Sequence, residues 1–178
     1  MVDDGHSILT SEKNVNGDNL TSLKWVQSSP LKNWSRQKLN RIRELVLQTT
    51  GEAYEIDRLR NLPLDENFGN WILSDGDIDY GIFWAMRLSN TQARILAFSV
   101  SERLQSLGHG SRGWSKFARA AEMVGINQVQ LEVRQDNSIA IQMYHRRGLR
   151  PKGYISGFYG GNDGWLMKGP LRNFASSQ

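Results

Sequence analysis

The chain has 178 residues and a mass of 20.3 kDa, enough for one domain with its own apolar core and short of the length at which chains divide into several. It is 39% hydrophobic and 22% charged, and no apolar run approaches the roughly 18 residues of a membrane-spanning helix, which excludes a helical membrane protein. It contains no cysteine, so disulfide frameworks, thiolate zinc sites and a cysteine nucleophile are excluded as well. The formal net charge of +4 is unevenly placed. Residues 1–20 net −3, residues 21–93 are neutral, and residues 94–178 hold twelve Lys and Arg against five Asp and Glu, a net +7. Nucleic acid, an anionic membrane surface or a polyphosphate ligand could each use that excess. The first ten residues have neither the basic nor the apolar region of a secretory signal, so a cytoplasmic protein is expected.

Residues 1–20 are rich in Asn, Asp, Ser and Gly and offer too little apolar surface to offset the entropy of ordering. A flexible leader is expected there, then one domain over residues 21–171 and a short flexible tail over 172–178. A strand is expected at residues 23–27, broken by Ser28-Ser29-Pro30. Trp34, Leu39, Ile42, Leu45 and Val46 recur at helical spacing, with Arg36, Lys38, Arg41 and Arg43 largely on the opposite side and Gly51 as the stop. A second helix is expected over residues 52–60, ahead of Pro63. The period then becomes two: residues 71–74 and 80–88 form a hairpin around Asp75-Gly76-Asp77, and residues 93–100 follow as a third strand. Its near-continuous apolar run, Ile95 to Phe98 and then Val100, indicates burial on both faces.

A helix is expected over residues 111–124, ended by Gly125. In the next strand, residues 128–134, Val129, Leu131 and Val133 point one way while Gln130 and Glu132 point the other. Asp136-Asn137-Ser138 supplies capping chemistry for a helix to about Arg147, stopped by Gly148 and Pro151. Two strands close the chain, residues 154–159 and 165–168, around a turn at 160–164. The order describes a mixed α/β domain with a largely antiparallel sheet.

The segment from Val100 to Ser111 leaves a strand, passes Gln105, turns through Gly108 and Gly110 and enters a helix. Two glycines one residue apart let several backbone N–H groups converge, and the helix N-terminus adds partial positive charge, an arrangement suited to a phosphate. A plain turn into a helix fits the same residues. Arg103, Arg112 and Lys116 stand nearby as further neutralising charges. The spacing is neither G-x-G-x-x-G nor G-x-x-x-x-G-K-[ST], so dinucleotide-fold and P-loop readings drop out.

Beyond it, Leu131-Glu132-Val133-Arg134, Asn137, Ala140-Ile141, Tyr144 and Gly148 follow at fixed intervals. Together with Gln105-x-x-Gly108-x-Gly110, this pattern resembles the GNAT family of acetyl-CoA-dependent N-acetyltransferases. Within that family it is most similar to the bacterial RimI-type enzymes that acetylate protein N-termini such as those of ribosomal proteins. The resemblance spans about residues 68–171. It implies a single GNAT-like domain with a central, mostly antiparallel twisted sheet of about six to seven strands flanked by helices. It further implies that the loop of Gln105, Ser106, Leu107, Gly108, His109, Gly110 and Ser111 holds the CoA pyrophosphate. By the same resemblance Phe98, Ser99 and Val100 hold the acetyl carbonyl and pantetheine through their backbone, and Asn137 contacts the pantetheine arm. Glu132 is then the general base, Tyr144 the general acid at the cofactor thiol, and Glu132 and Tyr159 face the acceptor. The loop departs from the family habit in carrying Ser106 where a basic residue commonly stands. His109 is expected as an exposed filler or a donor to phosphate.

Acetyl transfer from a thioester to an amine needs a proton acceptor, oxyanion stabilisation and a proton for the thiolate. Direct attack by the amine needs no acyl-enzyme, so a chain without cysteine is compatible with it. Three scattered histidines argue against a metal. The expected acceptor is a protein N-terminal amine. Other readings stay open: a lysine side chain, a small amine such as a polyamine or aminoglycoside drawn by Asp65, Glu66, Asp75, Asp77 and Asp79, a CoA sensor without catalysis, or a nucleic-acid module.

Overall fold

Segments of alternating apolar residues build one seven-stranded sheet in the computed structural model, which describes residues 23–159 and 161–172. The expected leader and, apart from Arg172, the expected tail lie outside the described residues. The strands are β1 (Lys24–Gln27), β2 (Asn70–Ser74), β3 (Asp79–Arg87), β4 (Gln92–Val100), β5 (Gln128–Arg134), β6 (Arg150–Tyr159) and β7 (Asn162–Pro170). Their order is β1-β2-β3-β4-β5-β7-β6, and every neighbouring pair is antiparallel except β4 and β5. The helices are α1 (Arg36–Thr50), α2 (Ile56–Arg60), α3 (His109–Met123) and α4 (Ser138–Arg146). Alternation along β3 divides the interior in two. Ile82 and Trp84 join Leu39, Ile42 and Val46 of α1 and Leu59 of α2, whereas Phe83 and Ala85 join Trp114, Phe117 and Ala121 of α3. The result is three layers, helices on both faces of the sheet.

Local chemistry sets the helix ends. Ser35 Oγ accepts from Lys38 N at 3.2 Å, which starts α1 at Arg36. Trp34, expected inside the helix, therefore precedes it and packs its ring against Trp84. Gly51, at φ +77°, ends α1 in the left-handed region. The second helix begins at Ile56 and not at residue 52, because Glu52 N turns back to Thr50 Oγ1 at 3.2 Å and Tyr54 OH reaches Glu52 Oε2 at 2.6 Å. Residues 52–55 thus form an open connection that presents side chains toward the sheet.

The apolar run in β4 meets apolar clusters on both faces, as expected, and a register shift the run does not reveal distributes its residues between them. Trp84 pairs with Ala97 but Ala85 with Ile95, so β4 carries one extra residue, a bulge at Leu96. Ala93 and Ile95 consequently join the α3 side, while Ala97 joins the α1 side and Leu96 and Phe98 stay only half-buried. The last two strands are longer than expected and leave only residues 160 and 161 between them. Pro151 is accommodated in β6 because β6 is the edge of the sheet, where a missing N–H forfeits nothing from the ladder.

Trp25 of β1 anchors α3: its Nε1 donates to His109 O at 2.9 Å and its ring lies against Gly113. A Cβ on Gly113 would stand 2.7 Å from Trp25 Cε2. Gly113→Ala is therefore expected to destabilise the fold by about 1–3 kcal/mol, measurable as a lowered urea midpoint at unchanged slope.

Candidate active site

The parallel strands β4 and β5 stay paired only as far as Ile95 and Leu131. Beyond that point β5 follows β7, with Glu132 opposite Leu166 and Arg134 opposite Gly164, while β4 follows β3, with Ser99 opposite Ile82. The sheet opens between them. Crevices at the carboxyl ends of diverging parallel strands are where ligands bind in open α/β sheets.

On the α3 and α4 side of the opening lies a cleft of about 450 Å³. One wall is Phe98, Ser99 and Val100 of β4, the second is Gln105, Ser106 and Gly110, and the third is Asn137, Ala140 and Tyr144 of the α4 segment. Gln105 Nε2 donates to Val100 O at 2.9 Å, tying the loop to the strand end. Ser106 (φ +62°) and Gly108 (φ +80°) are both left-handed, the former a strained choice for a residue with a Cβ. The α3 ladder begins with Arg112 N bonding to Gly108 O at 3.1 Å, so the N–H groups of His109, Gly110 and Ser111 precede it at the positive end of the helix. A Cβ at Gly110 would approach no protein atom closer than 3.7 Å, so glycine here leaves bare backbone in the wall of the cleft. Such a wall fits a phosphate-bearing ligand. Asn137 caps α4, its Oδ1 accepting from Ala140 N at 3.1 Å, and faces the cleft as well.

On the opposite face, between α2 and the sheet, lies a larger cleft of about 980 Å³, lined among others by Glu52, Tyr54, Asp57, Arg58, Arg94 and Glu132. Arg94 Nε donates to Glu132 Oε2 at 3.1 Å, and the Glu132 side chain is 12% exposed. Burial holds the Glu52 carboxyl above its ordinary range; the bond from Tyr54 opposes this and the negative charge of Glu132 adds to it. Burial, with the charge of Glu52, likewise raises the Tyr54 phenol.

A gap of about 70 Å³ joins the two clefts. Glu52, Leu96 and Glu132 line it together with the larger cleft, and Phe98, Asn137 and Tyr144 line it together with the smaller one. Glu132 and Tyr144, twelve residues apart in sequence, thus border one space through the open sheet. Tyr144 is 6% exposed and packs on Trp114 with ring centroids 6.2 Å apart. Burial raises its phenol above the usual tyrosine range, and the charge of Arg147 opposes that rise.

Of the expected cofactor residues, Phe98, Ser99, Val100, Gln105, Ser106, Gly110, Asn137 and Tyr144 come together in the smaller cleft. Leu107, Gly108, His109 and Ser111 stand outside its lining. His109 is buried, not the exposed filler expected: its carbonyl is held by Trp25, its Nδ1 lies 3.1 Å from Arg112 Nη2, and burial lowers its pKa. Arg103 stacks over Tyr80, Arg112 also bonds to Leu107 O, and neither they nor Lys116 line the cleft. Tyr159 closes β6 opposite Asn162, and its expected acceptor contact falls outside the described side chains. Asp65 pairs with Arg87 at 3.0 Å, Asp79 with Lys38 at 2.9 Å, and Asp75 holds the N–H groups of its own turn, so these acids serve the fold away from the larger cleft. Sequence reasoning missed Glu52, Tyr54 and Arg94. The one available signal was a Glu directly after the helix-stopping Gly51, and only the fold brings it to Glu132.

The family model described as "Acetyltransferase (GNAT) family" matches residues 39–149, and the chain belongs to that family. Among solved structures it is similar to Ard1 from Thermoplasma volcanium, at 22% identity and a TM-score of 0.72 over 85% of this chain and 99% of the other. It is also similar to the ribosomal-protein-S18-alanine N-acetyltransferase from Escherichia coli, at 17% identity and 0.67 over 87% and 99%. Arabidopsis thaliana Naa50, in complex with the bisubstrate analogue CoA-Ac-MVNAL, matches at 15% identity and 0.66 over 83% and 98%. These likenesses establish the shared fold. No curated protein matches the sequence. Among the described residues no helix is long and apolar enough to cross a membrane.

Proposed function

We propose that this protein is an acetyl-CoA-dependent N-acetyltransferase that moves the acetyl group directly onto a primary amine, with a protein N-terminal α-amine as acceptor. The observation that carries this reading is the shared gap: a carboxylate-lined cleft and a cleft walled by bare backbone amides meet through an opening in the sheet that Glu132 and Tyr144 both border. Acetyl-CoA supplies the activated acyl group. The α3 N-terminus and the Gln105-to-Ser111 loop hold its pyrophosphate, and the backbone of residues 98–100, which has no β5 partner beyond Ile95, holds the pantetheine and the carbonyl oxygen. Glu132 and Glu52 attract the ammonium and take its proton, with Arg94 and Tyr54 fixing the two carboxylates. Tyr144 holds a proton for the departing thiolate.

The neighbours support the acceptor class, since two of them act on, or are bound to an analogue of, a polypeptide N-terminus. Chemistry supports it too. An α-amine has a pKa of about 8 against about 10.4 for lysine, which lowers the cost of deprotonation at neutral pH by roughly 3 kcal/mol. With this reading goes the expectation of a cytoplasmic location. The test is thiol release from acetyl-CoA with peptides of varied first residue, run beside spermidine and free lysine. Peptides are expected to turn over best, and peptides with blocked N-termini not at all. Preference for the small amines would overturn the N-terminal assignment, and release with no acceptor preference would overturn the site.

A further inference from the structure

Arg147 caps the C-terminal end of α4, is 8% exposed, and takes part in none of the ion pairs among the described residues. Its Nη1 donates to Met143 O and its Nη2 to Ser111 Oγ, each at 3.1 Å, and its guanidinium carbon lies 5.2 Å from the Trp114 ring centroid. The buried charge is offset only by dipoles: the indole face and the carbonyls at the negative end of α4. A cation compensated by dipoles and not by a carboxylate keeps its field, and solvent screens a buried field little. Of its two partners, one lies on the lining of the smaller cleft and the other directly behind it. Met143 lines that cleft from α4, and Ser111 follows Gly110, which lines it from α3.

We propose that Arg147 is a positioning residue that makes the smaller cleft select a thioester bearing a diphosphate: it holds the α3 N-terminus at a fixed distance from α4 and adds a buried positive charge behind the amides that receive the anion. This rests on the acetyl-CoA reading above. Arg147 touches neither reacting atom, and its action is through Ser111, Met143 and its field. Arg112 and Lys116 are exposed, so solvent screens their charge, and Arg134, which lines the cleft, is paired with Asp136, whereas the Arg147 charge is buried behind the lining. Lys can replace the charge there but not the two-ended fork.

Calorimetric titration of the full chain with acetyl-CoA and with acetyl-pantetheine, which keeps the thioester and lacks the diphosphate, tests the proposal. Arg147→Met is expected to weaken acetyl-CoA about tenfold and acetyl-pantetheine less than about twofold, and Arg147→Lys to restore acetyl-CoA to within about threefold of wild type. Equal losses toward both ligands would mean that the side chain only fills space, and an unchanged acetyl-CoA affinity in Arg147→Met would remove its role. Either result overturns the proposal. Ser111→Ala, an exposed substitution that leaves the core intact, is the second variant: it frees the guanidinium from α3 and is expected to weaken acetyl-CoA about threefold and acetyl-pantetheine not at all. Parity with wild type toward acetyl-CoA overturns the clamp. A wild-type chain that binds neither thioester would instead overturn the acetyl-CoA reading itself.

Discussion

Tyr144→Phe is expected to lower kcat about 100-fold or more while leaving acetyl-CoA affinity nearly intact, the usual consequence of removing a proton donor that acts in the transition state. The substitution removes one oxygen and keeps the ring, so the contact with Trp114 and the surrounding core persists. A stability change is not expected to accompany the loss. Because burial raises the phenol, Tyr144 stays protonated through neutral pH, the form that the proposed donor role requires. Desolvation that makes a phenol reluctant to ionise also strengthens its hydrogen bond to a nearby anion, and Arg147 keeps the rise from going further. Steady-state kinetics beside direct titration of acetyl-CoA check this. Unchanged turnover would remove Tyr144 from the mechanism.

Glu52→Gln and Glu132→Gln are each expected to lower kcat/KM by about 10²- to 10⁴-fold at neutral pH if the two carboxylates share the proton of the amine. Their pH profiles separate them from residues that merely pack. The Glu52 carboxyl is raised by burial and by Glu132, so the acid limb of the wild-type profile should lie above the ordinary glutamate range, with activity lost as pH falls through that limb. Glu132→Gln removes the neighbouring charge, and whatever activity remains should show its acid limb at lower pH.

Stability should move in the opposite sense to activity. A carboxyl whose pKa is higher in the folded state is destabilising once it ionises, because the folded chain binds its proton more tightly than the unfolded chain does. That penalty is absent below the ordinary glutamate pKa and complete above the raised one. Glu52→Gln should therefore unfold at a higher temperature than wild type at pH 7, and the advantage should vanish in acid. A variant that loses stability at pH 7 would show that the carboxylate holds the loop together. In that case the site loses Glu52 as a proton acceptor.

The legible parts of this molecule are those written in neighbouring residues. Alternation in β5 placed Val129, Leu131 and Val133 in the core and Glu132 on the far face, and the structure agrees because a strand's period of two leaves no other choice. Gly51 was a helix boundary by its own chemistry, whereas the cap at Ser35 went unread and only the structure moves Trp34 out of the helix. The glycine loop, Asn137 and Tyr144 were found through fixed spacing, and they converge because a loop, a cap and a helix face are each local objects. The bulge at Leu96 was not legible, since an extra residue in β4 is defined only against β3. Nor was the burial of His109, which depends on Trp25, 84 residues earlier in the chain.

The sequence by itself determined the element types, the mixed α/β class, the family resemblance and one carboxylate and one phenol at a telling interval. Only the tertiary structure decided that β4 and β5 part company after Ile95 and Leu131, that Glu52 and Arg94 stand beside Glu132, and that the Arg147 guanidinium lies buried between α4 and Ser111 of α3. The physical reason is range. Periodicity, capping and turn chemistry act over a few residues, whereas a gap in a sheet, the rise of a carboxyl's pKa and the field of a buried charge arise from groups that folding alone makes neighbours.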